Sequence, residues 1–75
     1  MNDLGQVKDA MLQDLVPLMD KLDIAPEQKW RFYYEVIQKT GDKGLVAPSY
    51  GVVKDITDEK VKADALLYLL NLVEQ

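Results

Sequence analysis

Thr57-Asp58-Glu59-Lys60-Val61-Lys62-Ala63-Asp64-Ala65-Leu66-Leu67-Tyr68-Leu69-Leu70-Asn71-Leu72-Val73-Glu74-Gln75 is too apolar, at too many helical positions, for a strand or a one-sided helix. On a wheel that advances 100° per residue, Lys60, Asp64, Asn71 and Gln75 fall in one narrow polar strip. Val61, Ala65, Leu66, Leu69, Leu72 and Val73 make a core face, and Ala63, Leu67 and Leu70 form a further flank. A surface helix needs an apolar face of about 100° or somewhat more. This one is apolar around most of its circumference, so it is either central or in contact with a partner. Thr57, with Asp58 and Glu59 in the first turn, predicts a capped helix start that suits the helix dipole.

Working backward, Pro48 and Ser49 open a short predicted helix that runs to about Ile56. Before it, Gly41-Asp42-Lys43-Gly44 reads as a polar turn, with Gly41 in the left-handed position that closes a helix. The Gly-Lys-Ser/Thr ending of a phosphate-binding loop is missing from it. Residues 26–40 form the second long helix. Pro26 suits its first turn, where a missing N–H costs nothing, and Glu27, Arg31, Glu35 and Lys39 alternate in sign along a solvated face. Trp30, Tyr33, Tyr34 and Ile37 lie across from those charges, with Phe32 and Val36 on a flank.

The first helix is predicted over residues 3–22. Leu4, Val7, Met11, Leu15, Leu18 and Leu22 recur every three or four residues as its core stripe, widened by Leu12 and Met19. Pro17 lies on the polar side and the apolar phase runs through it, which predicts one helix kinked at Pro17 rather than two. The fold expected is therefore all-α: a small bundle of three long helices (3–22, 26–40 and 57–75) plus a short one (48–56), forming a single domain over 1–75.

Composition removes most chemistry. The 75 residues include no cysteine and no histidine, so there is no thiolate, no disulfide, no histidine base and no usual metal-ligand set. No catalytic, cofactor-binding or metal-binding residues are assigned, and the chain is not expected to be an enzyme. An acidic helical chain of this size invites comparison with the acyl carrier proteins. They carry their prosthetic arm on the serine of an Asp-Ser-Leu motif, whereas the only serine here stands in Pro48-Ser49-Tyr50, and the comparison fails on that residue. The opening residues lack the basic region and apolar run of a secretory signal, and a cytoplasmic location is expected.

The net charge of −4 is spread as −3 over residues 1–23, +1 over 24–43 and −2 over 44–75. No segment is a basic patch, which weighs against nucleic acid as a partner, and the aspartates of the first helix weigh against a membrane surface. One rival reading is a degenerate helix-turn-helix regulator over residues 49–69. Gly51, Ile56, Thr57 and Val61 stand at the small, apolar, hydroxyl and apolar offsets of that motif. Against it, Asp55 occupies the turn-glycine position, Asp64 an apolar one, and Asp58 and Glu59 would face phosphates.

The expected function is that of a small acidic protein–protein interaction module, an adaptor, inhibitor or regulatory subunit. It would bind another protein, a second copy of itself included, through apolar helix faces; no small-molecule substrate is indicated. The partner-binding candidates are Phe32, Val36, Leu67, Tyr68 and Leu70. Aromatic and leucine side chains dominate cores as well as interface hot spots. Trp30 and Ile37 are accordingly placed in the core.

Overall fold

A computed structural model describes residues 3–75, and they form four α-helices with no strand among them. In chain order these are α1 (Leu4–Leu15), α2 (Pro26–Thr40), α3 (Val46–Val53) and α4 (Glu59–Glu74), with 3₁₀ segments at Val16–Lys21 and Lys43–Leu45. The all-α expectation is met, and α2 has the limits read from its proline and glycine. Gly41 sits at φ 64° and its N–H donates to the Ile37 carbonyl, closing the helix in the left-handed conformation that suits a residue without Cβ.

The first helix departs from the expectation of one kinked helix over residues 3–22. Asp3 is not its first residue but its cap, accepting a hydrogen bond from the Gly5 N–H at 2.9 Å. The α-helix stops at Leu15, and Val16–Lys21 continues as a 3₁₀ helix with Pro17 in its first turn. Pro17 cannot donate to the Gln13 carbonyl and its ring crowds that turn; the chain answers by tightening to three residues per turn.

The expected core stripe is not the buried one, and at its C-terminal end the tightening is the reason. In a 3₁₀ helix residues three apart stand over one another, so Val16 and Met19 fall in register on the inner side and Leu18 is carried outward. Leu12 and Met19 are buried, while Leu4 (81% exposed), Met11 and Leu18 face solvent.

The short helix also differs from its expected span of 48–56. The 3₁₀ turn Lys43–Leu45 leads directly into α3 at Val46, with Asp42 accepting from the Gly44 N–H at 2.8 Å. Pro48 sits in the first turn of α3, where proline is tolerated, and the helix ends at Val53. The cap of α4 is Asp58 and not Thr57: its carboxylate accepts from the N–H groups of Lys60 and Val61 at 3.0 and 3.2 Å.

The buried cluster is Met19, Trp30, Tyr33, Ile37, Val53, Ile56, Ala65 and Leu69. α2 supplies its centre, α1 packs on one side of α2 and α3 on another, and α4 docks chiefly on α3. Two lysines fasten α4 at its ends: Lys62 Nζ donates to the Lys54 carbonyl at 3.0 Å and Lys43 Nζ to the Gln75 carbonyl at 2.9 Å. Ion pairs Lys8–Glu35 (3.6 Å) and Lys39–Asp9 (3.9 Å) cross from α1 to α2, but such exposed pairs contribute little.

The result is a slab of 42 × 32 × 19 Å with a radius of gyration of 12.7 Å, against about 11 Å for an average domain of this length. Its thickness is about that of two helices. Helices at the edge of such a slab have only one side to bury.

Ser49 is fully buried, and its hydroxyl has no hydrogen-bond partner. An orphaned buried polar group costs on the order of 1–3 kcal/mol. Ser49→Ala is expected to raise unfolding stability by about 1 kcal/mol in urea titrations; a loss of stability would mean that the hydroxyl is bonded.

Candidate interaction surface

The large apolar side chains left in solvent fall into two stripes, one on α1 and one on α4, apart from Tyr50 on α3. Along α1 and the 3₁₀ segment after it the stripe is Leu4, Met11 and Leu18, with Val7 and Leu15 half-buried between them. On α4 it is Leu67 (60% exposed), Leu70 (57%) and Val73 (57%), joined by exposed Ala63 and half-buried Leu66.

The α4 stripe begins beside the Ala65–Leu69 face that enters the core, at Val73 and Leu66, and winds round to Leu67, which at 100° per residue stands about 180° from that face. α4 therefore has two apolar sides, and the fold uses one of them. Glu59 and Glu74 stand at the two ends of the stripe, and no charge interrupts it between them. Val73, expected in the core, belongs instead to this outer face.

The five partner-binding candidates do not share one surface. Leu67 and Leu70 stand together on the outer face of α4. Tyr68 points elsewhere, toward α2, where it meets Tyr34 at 4.8 Å between ring centroids and Trp30 at 5.9 Å, both edge to face. Trp30 and Tyr34 are themselves 5.8 Å apart, and Gln38 Nε2 donates to the Tyr34 hydroxyl at 2.7 Å. This aromatic triad joins α4 to α2 with side chains long enough to span helices whose backbones stay apart. Burial and the neighbouring Tyr34 raise the pKa of Tyr68 above its ordinary value.

Phe32 is half-buried in a groove between α1 and α2, beside Met11, Leu15 and Arg31, away from the α4 stripe. Val36 does not belong to any surface. It is 4% exposed, because α1 crosses α2 over it and Leu12 and Val16 close around it from one side and Leu45 from the other. The wheel of α2 alone could not show that, since it depends on where α1 comes to rest. The sequence placed Leu4, Met11 and Leu18 in the core, and Pro17 was a signal only for Leu18; the exposure of Leu4 and Met11 depends on which side of α1 meets α2.

No family model, curated protein or solved structure matches this chain. Among the described residues no helix is long and apolar enough to cross a membrane, and no group of three acidic side chains is arranged to hold a metal ion. The Ser49 hydroxyl, fully enclosed, is not reachable by a modifying enzyme in the folded chain.

The helix-turn-helix geometry fares poorly at its turn. The link between α3 and α4 runs over residues 54–58, longer than the three or four residues usual for that motif. Asp55 is not in the left-handed conformation, since Gly41 alone has positive φ among the described residues. Lys62, a cation that a recognition helix would offer to phosphates, is turned back onto the Lys54 carbonyl. The chain is expected to leave duplex DNA unretarded in a gel at low salt; a salt-sensitive shift would restore the DNA-binding reading.

Tyr33 offers a pH test of the core. Its pKa is raised above the ordinary 10.0, first by burial and then by the Asp20 carboxylate. The folded state therefore holds that proton more tightly than the unfolded chain does, so its contribution is complete below pH 10 and is lost as pH rises through the folded-state value. Urea midpoints are expected to fall above pH 10 and to fall less steeply in Tyr33→Phe; equal slopes for the two proteins would contradict it.

Proposed function

We propose that this chain is a protein–protein interaction module whose binding surface is the outer face of α4. One observation carries the reading: Leu67, Leu70 and Val73 follow one another at spacings of three, each more than half exposed, on a helix whose Ala65–Leu69 face is already buried. Leaving three such side chains in water forgoes about 25 cal/mol for every Å² of apolar surface that could be covered. Contiguous apolar patches of this kind mark contact sites on soluble proteins.

The mode is helix against helix or helix in groove, with anchors at i, i+3 and i+6 or i+7 along α4. The apolar centre supplies the affinity, and the surrounding polar strip of Lys60, Asp64 and Asn71 sets orientation and encounter. Such a chain acts by occupying a partner, as an adaptor, inhibitor or regulatory subunit does.

The test uses a photo-crosslinking residue in place of Val73, activated in intact cells. The expected product is an adduct of defined mass that drops at least tenfold when Leu67→Lys and Leu70→Lys are introduced together, with far-ultraviolet circular dichroism unchanged. An adduct indifferent to the two lysines would refute the α4 face as the site. Loss of the helical signal would assign Leu67 and Leu70 to the core instead.

A further inference from the structure

We infer that the occupant of the α4 face is a second copy of the same chain, paired antiparallel about a two-fold axis near Leu67. The inference rests on the reading of α4 as a binding surface and names its partner. Ala63, Leu66, Leu70 and Val73 repeat at spacings of three, four and three, the seam of a coiled coil, and Leu67 widens that seam on one side. All of them are exposed but Leu66, which is half-buried with one side against the core and the other open to the seam.

The seam is self-complementary when one copy is reversed. Centring the pair near Leu67 sets Leu66 against Leu70 of the second copy and Leu70 against Leu66. Small Ala63 then faces the larger Val73, and Leu67 meets its own counterpart at the axis. The flanking charges agree. Lys60 of each copy lies beside Glu74 of the other, and a two-fold axis makes that pair twice.

Both groups are free for the exchange. Lys60 has only a loose contact with Asp64, 3.7 Å across exposed side chains, and Glu74 makes no ion pair among the described residues. Parallel pairing has no such agreement, because it would set Glu59 against Glu59 on the seam itself.

The slab explains why a second copy fits where another helix of the same chain does not. α4 lies at the edge, docked chiefly on α3, so its outer face is open along its 16 residues, about 24 Å. Stable interfaces bury about 1,200–2,000 Å². One helix pair of that length reaches the lower end at most, and the dimer forms and dissociates with concentration.

The deciding experiment is light scattering after size exclusion over a hundredfold range of concentration. The mass is expected to climb from the 8.5 kDa of one chain toward twice that value. Leu70→Glu should hold it at the single-chain mass at every concentration. Lys60→Glu and Glu74→Lys should each raise the dissociation constant about 3- to 10-fold, and the two together should bring it back, because the reversed pair attracts again.

A mass of one chain throughout overturns the inference, as does a dimer that survives Leu70→Glu. A double charge reversal that dimerises no better than the singles overturns the antiparallel pairing. Should Leu70→Glu unfold the chain, the charge-reversal series, which touches only exposed positions, decides by itself. A monomer that still gives the crosslinked adduct from position 73 removes the second copy and leaves the interaction module standing.

Discussion

Trp30, Tyr33 and Ile37, on successive turns of α2, are the surface to which the rest of the chain is fitted. Met19 reaches them from the 3₁₀ segment, Val53 and Ile56 from α3 and the link behind it, and Ala65 and Leu69 from α4. Each of these contributes a small number of side chains, and α2 alone touches most of them. α2 and α3 are therefore packed from two sides, α3 between α2 and α4, while α1 and α4 bury one face each. That geometry sets a limit: a central helix can be surrounded, while a peripheral helix can bury one face only.

The chain carries more apolar surface than this arrangement can cover. Nearly half its residues are apolar, 48% by count, yet the slab is about two helices thick and its edges are formed by α1 and α4. Both edge helices are amphipathic on two sides. Before Pro17, α1 turns Leu12 inward and leaves Leu4 and Met11 in solvent; at Pro17 the change of helical pitch points Leu18 outward and Met19 inward. On α4 the excess is built into the sequence, since its apolar residues occupy most of the wheel. A small domain whose own core leaves such a stripe open gains stability from any chain that covers it. The self-complementary order of that stripe is what singles out a second copy.

Local signals were legible where the chemistry is local. Pro26 and Gly41 bound α2 because a ring without an N–H and a residue without Cβ are tolerated at those two places and few others. Asp58 displaced Thr57 as the cap of α4: both are cap-forming residue types one position apart, and it is Asp58, with extended backbone, that accepts from the N–H groups of Lys60 and Val61. The start of α3 was misplaced by two residues because a proline in the first turn and a proline at the first position look alike in sequence. Of the candidate surface, Leu67 and Leu70 lie in solvent, Tyr68 is spent on the seam with α2, Phe32 lines a separate groove and Val36 is enclosed.

The sequence by itself determined that the chain is helical, where α2 begins and ends, that cysteine and histidine chemistry is absent, and that α4 has more apolar faces than one contact requires. These follow from periodicity, backbone chemistry and composition, each readable within a few residues. Only the tertiary structure decided which of the apolar faces are used. Whether Val36 is covered depends on where α1 crosses α2, and whether Leu67 and Leu70 are bare depends on which side of α4 meets α3. A helical wheel records the angle of a side chain about its own axis; it holds no information about what lies on the far side of that angle.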